Sequence, residues 1–302
     1  MGELSGFVGG GIGVGGIGLG SGIGINVGAT GEKKSEEDSG ESHCSHYDGG
    51  MPITVLVTGA TAGFGMAIAR RFAQDGARIV ATGRRGDRLG ALRQEIGAEK
   101  VKTLQFDVRD RAATERALGS LEGEWADIDI LVNNAGLALG LEPAHQADLD
   151  EWETMVDTNI KGLLYCTRAI LPGMVERGRG HIVNLGSIAG EFSYPGGNVY
   201  GATKAFVYRF GMNLRADLVG TPIRVTDIEP GLCGGTEFSN VRFHGDEARV
   251  AAMYQGADPI LPEDVADAVH WVATRPARLN INAVSMMPVS QAPGPLVVKR
   301  KS

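Results

Sequence analysis

A serine, a tyrosine and a lysine are spaced in this chain as an acid–base centre would need them. Tyr200 and Lys204 stand four residues apart, so a helix brings both to one face. Ser187 lies thirteen residues before Tyr200, at the end of the apolar run HIVNLGS, from which it can return to meet them. A phenol beside an ammonium is a proton donor whose pKa, ordinarily about 10, is drawn towards neutrality. A serine hydroxyl can donate to an oxygen on which charge develops. This is chemistry for reducing a carbonyl or oxidising an alcohol, provided a hydride carrier binds nearby. An isolated Tyr-x-x-x-Lys is more often a surface pair, so the elements that position the three residues decide the reading.

From Met51 onward, apolar runs alternate with helical periodicity. Strands are expected at 53–59, 77–83, 101–108, 129–136, 180–187, 223–231 and 281–289. Helices are expected at 66–76, 87–97, 113–121, 149–175 and 198–218, with a last one from Pro262. Continuous apolar strands between helices predict a parallel sheet covered on both faces. Right-handed crossovers then leave a doubly wound, Rossmann-type α/β fold with seven strands, one domain over 51–302. The crevice of such a sheet lies at the C-terminal strand ends.

Each remaining motif falls at one of those ends. Gly59-Ala60-Thr61-Ala62-Gly63-Phe64-Gly65 joins the first strand to the first helix. Its small residues let the backbone approach a pyrophosphate, and the helix N-terminus adds free amides and a positive dipole end. After the second strand, Arg84 and Arg85 stand where an NAD-binding fold carries an acid for the ribose hydroxyls. Two guanidinium groups match a 2′-phosphate in charge and geometry, which favours NADP over NAD. Asp107 and Val108 follow the third strand, beside the adenine, although Asp107 alone reads equally as a helix N-cap. Asn134 lies in the tight turn Asn133–Gly136, and Asn159 reads as a relay residue in an otherwise amphipathic run. Pro230-Gly231 opens an irregular stretch carrying Thr236, Phe238 and Arg242, expected to be a mobile loop over nicotinamide and substrate.

The formal charge of −7 is uneven: the first fifty residues hold seven acids and two bases, so −5 falls there and −2 on the rest. Neither part is basic enough to bind nucleic acid through its phosphates. Residues 1–50 are glycine-rich and of low complexity, and are expected to be a disordered extension. Two GxGxxG matches within them, starting at Gly11 and Gly13, link no strand to a helix. His43, Cys44 and His46 lack a fourth ligand, so no metal site is expected. Three scattered cysteines suit a reducing compartment, and neither a membrane span nor a basic leader is evident. A cytoplasmic location is expected.

Taken together, TGxxxGxG, NNAG, the Asn159/Ser187/Tyr200/Lys204 set and the Pro230-Gly231 turn resemble the short-chain dehydrogenase/reductase family over residues 52–289. The stretches LVTGATAGFG, ATGRR and RVTDIEPGLCGGTEFSNVRF look most like its bacterial NADP-dependent 3-hydroxy acid dehydrogenases. That subgroup acts on L-allo-threonine and serine and reduces malonic semialdehyde. The resemblance implies that Tyr200 donates or accepts the proton. Lys204 lowers its pKa and holds the nicotinamide ribose, Ser187 positions the carbonyl, and Asn159 supports Lys204 through a water. It also implies a homotetramer. A hydroxy acid needs a cation for its carboxylate; Arg242, the first basic residue after the turn, is the candidate. Gly196, Gly197 and Asn198 are expected to shape the pocket wall. Two other readings stay open: a reductase acting on carrier-bound 3-oxoacyl groups or sugars, and a non-catalytic NADP-binding sensor.

Overall fold

The computed structural model describes residues 52–294. The glycine-rich segment, its GxGxxG matches and the His43, Cys44 and His46 group lie outside them. The described residues form seven strands: β1 (Thr54–Val57), β2 (Arg78–Gly83), β3 (Val101–Gln105), β4 (Ile130–Asn133), β5 (Gly180–Leu185), β6 (Ile223–Pro230) and β7 (Ala283–Met286). They form one parallel sheet in the order β3-β2-β1-β4-β5-β6-β7. The chain winds outward in one direction from β1 to β3, then in the other from β4 to β7. The reversal places a crevice at the ends of β1 and β4. This is the Rossmann-type arrangement expected.

The pattern of β1 shows why its residues make a central strand. Val55 and Val57 face α1 (Gly63–Gln74), packing with Ile68 and Phe72. Leu56 faces the opposite layer, with Ile170 and Met174 of α5 (Leu163–Arg177). A strand covered on both faces must be apolar throughout rather than alternating. The first layer is completed by α2 (Gly86–Ile96) and α9 (Pro262–Ala273). The second is completed by α3 (Arg111–Gly119) and α6 (Asn198–Asp217). One buried charge serves the frame. Arg224 donates to the carbonyls of Val272 and Ala273, acceptors that the end of α9 leaves over, and to that of Arg275 just beyond it.

Two expectations need correction. The single helix over 149–175 is instead α4 (Leu149–Val156), a widened π-helical turn at Asp157–Gly162, and α5. Such turns add one residue without breaking periodicity strongly enough to read from sequence, and are frequent at functional sites. The irregular stretch after Pro230 is also partly helical, forming α7 (Phe238–Arg242) and α8 (Glu247–Tyr254). Asp246 caps α8 by accepting from Arg249 N, and the Ser239 and Tyr254 hydroxyls join the two helices at 2.6 Å. Among the described residues no helix is long and apolar enough to cross a membrane.

Candidate active site

A cleft of about 400 Å³ opens at the C-terminal ends of the strands. Its floor is the glycine turn, held by a clamp between two loops. Thr58 Oγ1 donates to Val132 O and accepts from the amides of Asn134 and Ala135. Asn134 returns the contact, donating Nδ2 to the carbonyls of Thr58 and Gly59. Gly59 and Gly63 have φ of 69° and 50°, where a side chain is strained. A Cβ on Gly65 would meet Gly59 O and Asn134 Nδ2. These positions bring bare backbone to the cleft, as close approach of a dinucleotide would need. Gly59, Thr61, Ala62, Gly63 and Phe64 line the cleft, whereas Ala60 and Gly65 pack behind it.

Arg84 and Arg85 both reach the rim. The Arg84 side chain is 62% exposed, with Asp107 at 3.9 Å. Arg85 is more committed: Nε and Nη2 donate to Thr61 Oγ1, and Nη1 meets Glu237 at 2.7 Å. Glu237 also takes Arg88, so an acid just ahead of α7 joins two cations across the cleft mouth. Asp107 is not a helix cap; Asp110 caps α3 by accepting from Ala113 N. Burial pushes the Asp107 carboxyl up, but the Arg109 guanidinium and amide prevail and hold it below the usual carboxylate range. Val108 lines the cleft, backed by Gly162 of the π turn.

Ser187, Tyr200 and Lys204 converge on the inner wall. Ser187 lies two residues beyond β5, and its hydroxyl accepts from Ala189 N at 3.1 Å. Tyr200 and Lys204 sit in the first two turns of α6, both buried. Lys204 Nζ donates to Leu185 O at 2.7 Å and stands 5.9 Å from the Tyr200 ring centroid. Burial brings the lysine pKa down to about 8, opposed by Asp227. Burial pushes the Tyr200 phenol above its ordinary value and Tyr194 adds to this, while Ser187 and Arg242 oppose it. The side chain of Asn159 does not bond Lys204. It donates to Leu137 O and to Thr203 Oγ1 and accepts from Leu137 N, tying the loop after β4 to the residue before Lys204.

Arg242 is buried rather than free on a loop. Its guanidinium carbon stands 5.5 Å from the Tyr200 ring and 5.6 Å from that of Tyr194. Nε donates to Gly140 O and Nη2 to the Tyr194 hydroxyl. Arg242 is therefore a second cation against the Tyr200 ring, beside Lys204. Pro230, Gly231, Thr236 and Phe238 line the same end, and Phe238 packs edge-on to Tyr200 at 5.8 Å. Gly196, Gly197 and Asn198 do not form the wall. They back it, packing on Leu141, the Tyr194 ring and Glu142 O. Tyr194 and Glu237 were missed in sequence. Tyr194 stands between two motif residues, but Glu237 meets its partner across 152 positions and leaves no local signal.

Residues 53–247 match the family model for short chain dehydrogenase, and the chain belongs to that family. It is 62% identical over 249 residues to the NADP-dependent 3-hydroxy acid dehydrogenase YdfG of Escherichia coli K12, covering 82% of this chain and all of the relative. It is 49% identical over 252 residues to the serine 3-dehydrogenase of Rhizobium radiobacter, covering 83% of this chain and all of that one. Among solved structures, the closed form of serine dehydrogenase complexed with NADP+ shares 61% identity, with a TM-score of 0.79 over 82% of this chain and all of the other.

Proposed function

We propose that this protein is an NADP-dependent dehydrogenase of small 3-hydroxy acids, taking L-allo-threonine, serine or 3-hydroxypropionate and, in reverse, malonic semialdehyde. The observation that carries the reading is a cation, Arg242, stacked on Tyr200 within a cleft built for a dinucleotide. The two relatives just described, acting on hydroxy acids by name, support the substrate class. The glycine turn, Asn134, Asp107 and Val108 hold the coenzyme, and Arg84 and Arg85 receive the 2′-phosphate. Bound NADP supplies the hydride transfer. Tyr200 moves the proton at the substrate oxygen, Ser187 donates to that oxygen, and Lys204 holds the ribose side of the site. Arg242 Nη1, which has no hydrogen-bond partner among the described residues, faces the carboxylate. Asn159 fixes α6 through Thr203.

The test is NADP+ reduction, followed at the nicotinamide absorbance, across the three hydroxy acids with NAD+ in parallel. Turnover with NADP+ well above NAD+ is expected. Activity on carrier-bound 3-oxoacyl groups with none on free acids would overturn the substrate class. Tight NADPH binding without turnover would make the protein a sensor. The cytoplasmic location expected from the sequence, and the homotetramer that the resemblance implies, belong to the same proposal. Light scattering at about four times the chain mass of 31.7 kDa checks the tetramer.

A further inference from the structure

Three adjacent strands carry a row of polar side chains beneath the active-site lysine. Asn133 of β4 is in register with Asn184 of β5, and Asn184 with Asp227 of β6. All three are buried, Asp227 to 1% exposure. Asn133 Nδ2 donates to Asn184 Oδ1 at 3.0 Å and to Thr167 Oγ1. Asn184 Nδ2 and both Asp227 oxygens then lack a hydrogen-bond partner of good geometry among the described residues, although the Asn184 amide stands near enough to favour the carboxylate. Burying a carboxyl without hydrogen bonds is costly, and packing alone gives no reason for it.

Lys204 supplies a reason. Gly211 of α6 lies directly over Asp227, where a Cβ would collide with Oδ2. Lys204 is two turns earlier on the same face of α6. Its Nζ is held by Leu185 O, one residue beyond Asn184. The Asp227 position is thus one strand over, about 4.8 Å, and one residue back, about 3.3 Å, from the point that anchors the ammonium.

We propose that Asp227 is the internal counter-ion of Lys204, a positioning residue that keeps the ammonium charged beside Tyr200. The inference rests on the role given to Lys204 above. The charged groups acting on Asp227 are Lys204 from α6 and Glu229 in its own strand. Its neighbour in β5 is the neutral Asn184, and its register partner in β7 is Ala283. Burial raises Asp227 to about 8 and lowers Lys204 to about 8, so the pair releases protons over one range. Asp227 gives up its proton there, and the carboxylate so formed tightens the hold of Lys204 on its own.

The experiment is the pH profile of kcat/KM for NADP+-dependent oxidation of the hydroxy acid. The proteins compared are the wild type, Asp227→Asn, Asp227→Ser and Lys204→Arg. In both Asp227 variants the alkaline limb, where Lys204 loses its charge, should move down by about one pH unit, a tenfold loss at a given alkaline pH. NADPH affinity at pH 6.5, where the lysine is charged in every variant, should be held. A uniform fall in rate with the limb in place would overturn the inference and leave Asp227 a packing residue. The serine variant carries the test if the asparagine variant does not fold. Lys204→Arg, whose guanidinium does not discharge, should lose the alkaline limb. If it keeps it, the role of Lys204 fails independently of Asp227.

Discussion

Tyr200 has an environment that separates the two directions of the reaction. Burial, then Tyr194, push its phenol up, so with no ligand beside it the group is protonated and suited to give a proton to a carbonyl oxygen. Oxidation needs the phenolate, and the Arg242 guanidinium favours it. Tyr200→Phe keeps the ring against Phe238 but removes the proton. Turnover should fall by about 10²–10⁴-fold while NADPH titrations are unchanged; retention of even a tenth of the activity would dismiss Tyr200 as the acid–base group. Arg242→Ala should raise KM for the hydroxy acid about tenfold to a hundredfold, the scale of a charge-assisted hydrogen bond. It should also move the acid limb of the oxidation profile to higher pH, since the cation that aids ionisation is gone. An unchanged KM would remove Arg242 as the carboxylate site, whereas the limb reports its effect on the phenol separately.

At the scale of elements, close approach between backbones does the positioning. A Cβ on Gly162, in the π turn, would stand 2.7 Å from Val108 Cγ2, and Val108 lines the active-site cleft proposed above to hold the coenzyme. Gly162→Ala should cost about 1–3 kcal/mol in chemical unfolding and weaken NADPH binding; a variant as stable and as tight as the wild type would mean that Val108 yields freely. Gly65→Ala should be worse, because its Cβ meets the Gly59 carbonyl, which cannot swing aside as a side chain can. These features also mark what could be read beforehand. The strands were legible because residues such as Val55, Leu56 and Val57 are apolar on both faces, and the glycine turn because backbone conformation demands its residue types. The π turn was not, since one extra residue scarcely disturbs helical periodicity. The five residues of α7 are too few to show a period at all. The Arg85–Glu237 pair depends on chain folding that no local pattern encodes.

Across the whole molecule, buried titratable groups couple stability to pH in opposing senses. His181 of β5 is buried, and burial with the Arg224 charge holds its pKa well below 6.5. Thr226 Oγ1 donates to Ile281 O at 2.6 Å, so at 2.8 Å it accepts from His181 Nε2–H and sets the tautomer. Nδ1 is then a bare nitrogen without a partner among the described residues. Below pH 6.5 the unfolded chain binds a proton that the folded imidazole refuses, so this residue makes stability fall as pH falls. Asp227 acts the other way. Its folded pKa is raised from 3.8 to about 8, so its contribution is complete below pH 3.8 and is lost as pH rises through about 8. Between pH 4 and 6.5 the two slopes oppose, and a wild-type scan alone separates neither. Differences do: His181→Asn should gain on the wild type as pH falls from 6.5 to 5, approaching about 1.4 kcal/mol per pH unit. Asp227→Asn should instead gain as pH rises from 4 to 8. Urea unfolding at fixed protein concentration across this range measures both, and a His181→Asn difference independent of pH would show that the folded imidazole takes up its proton after all.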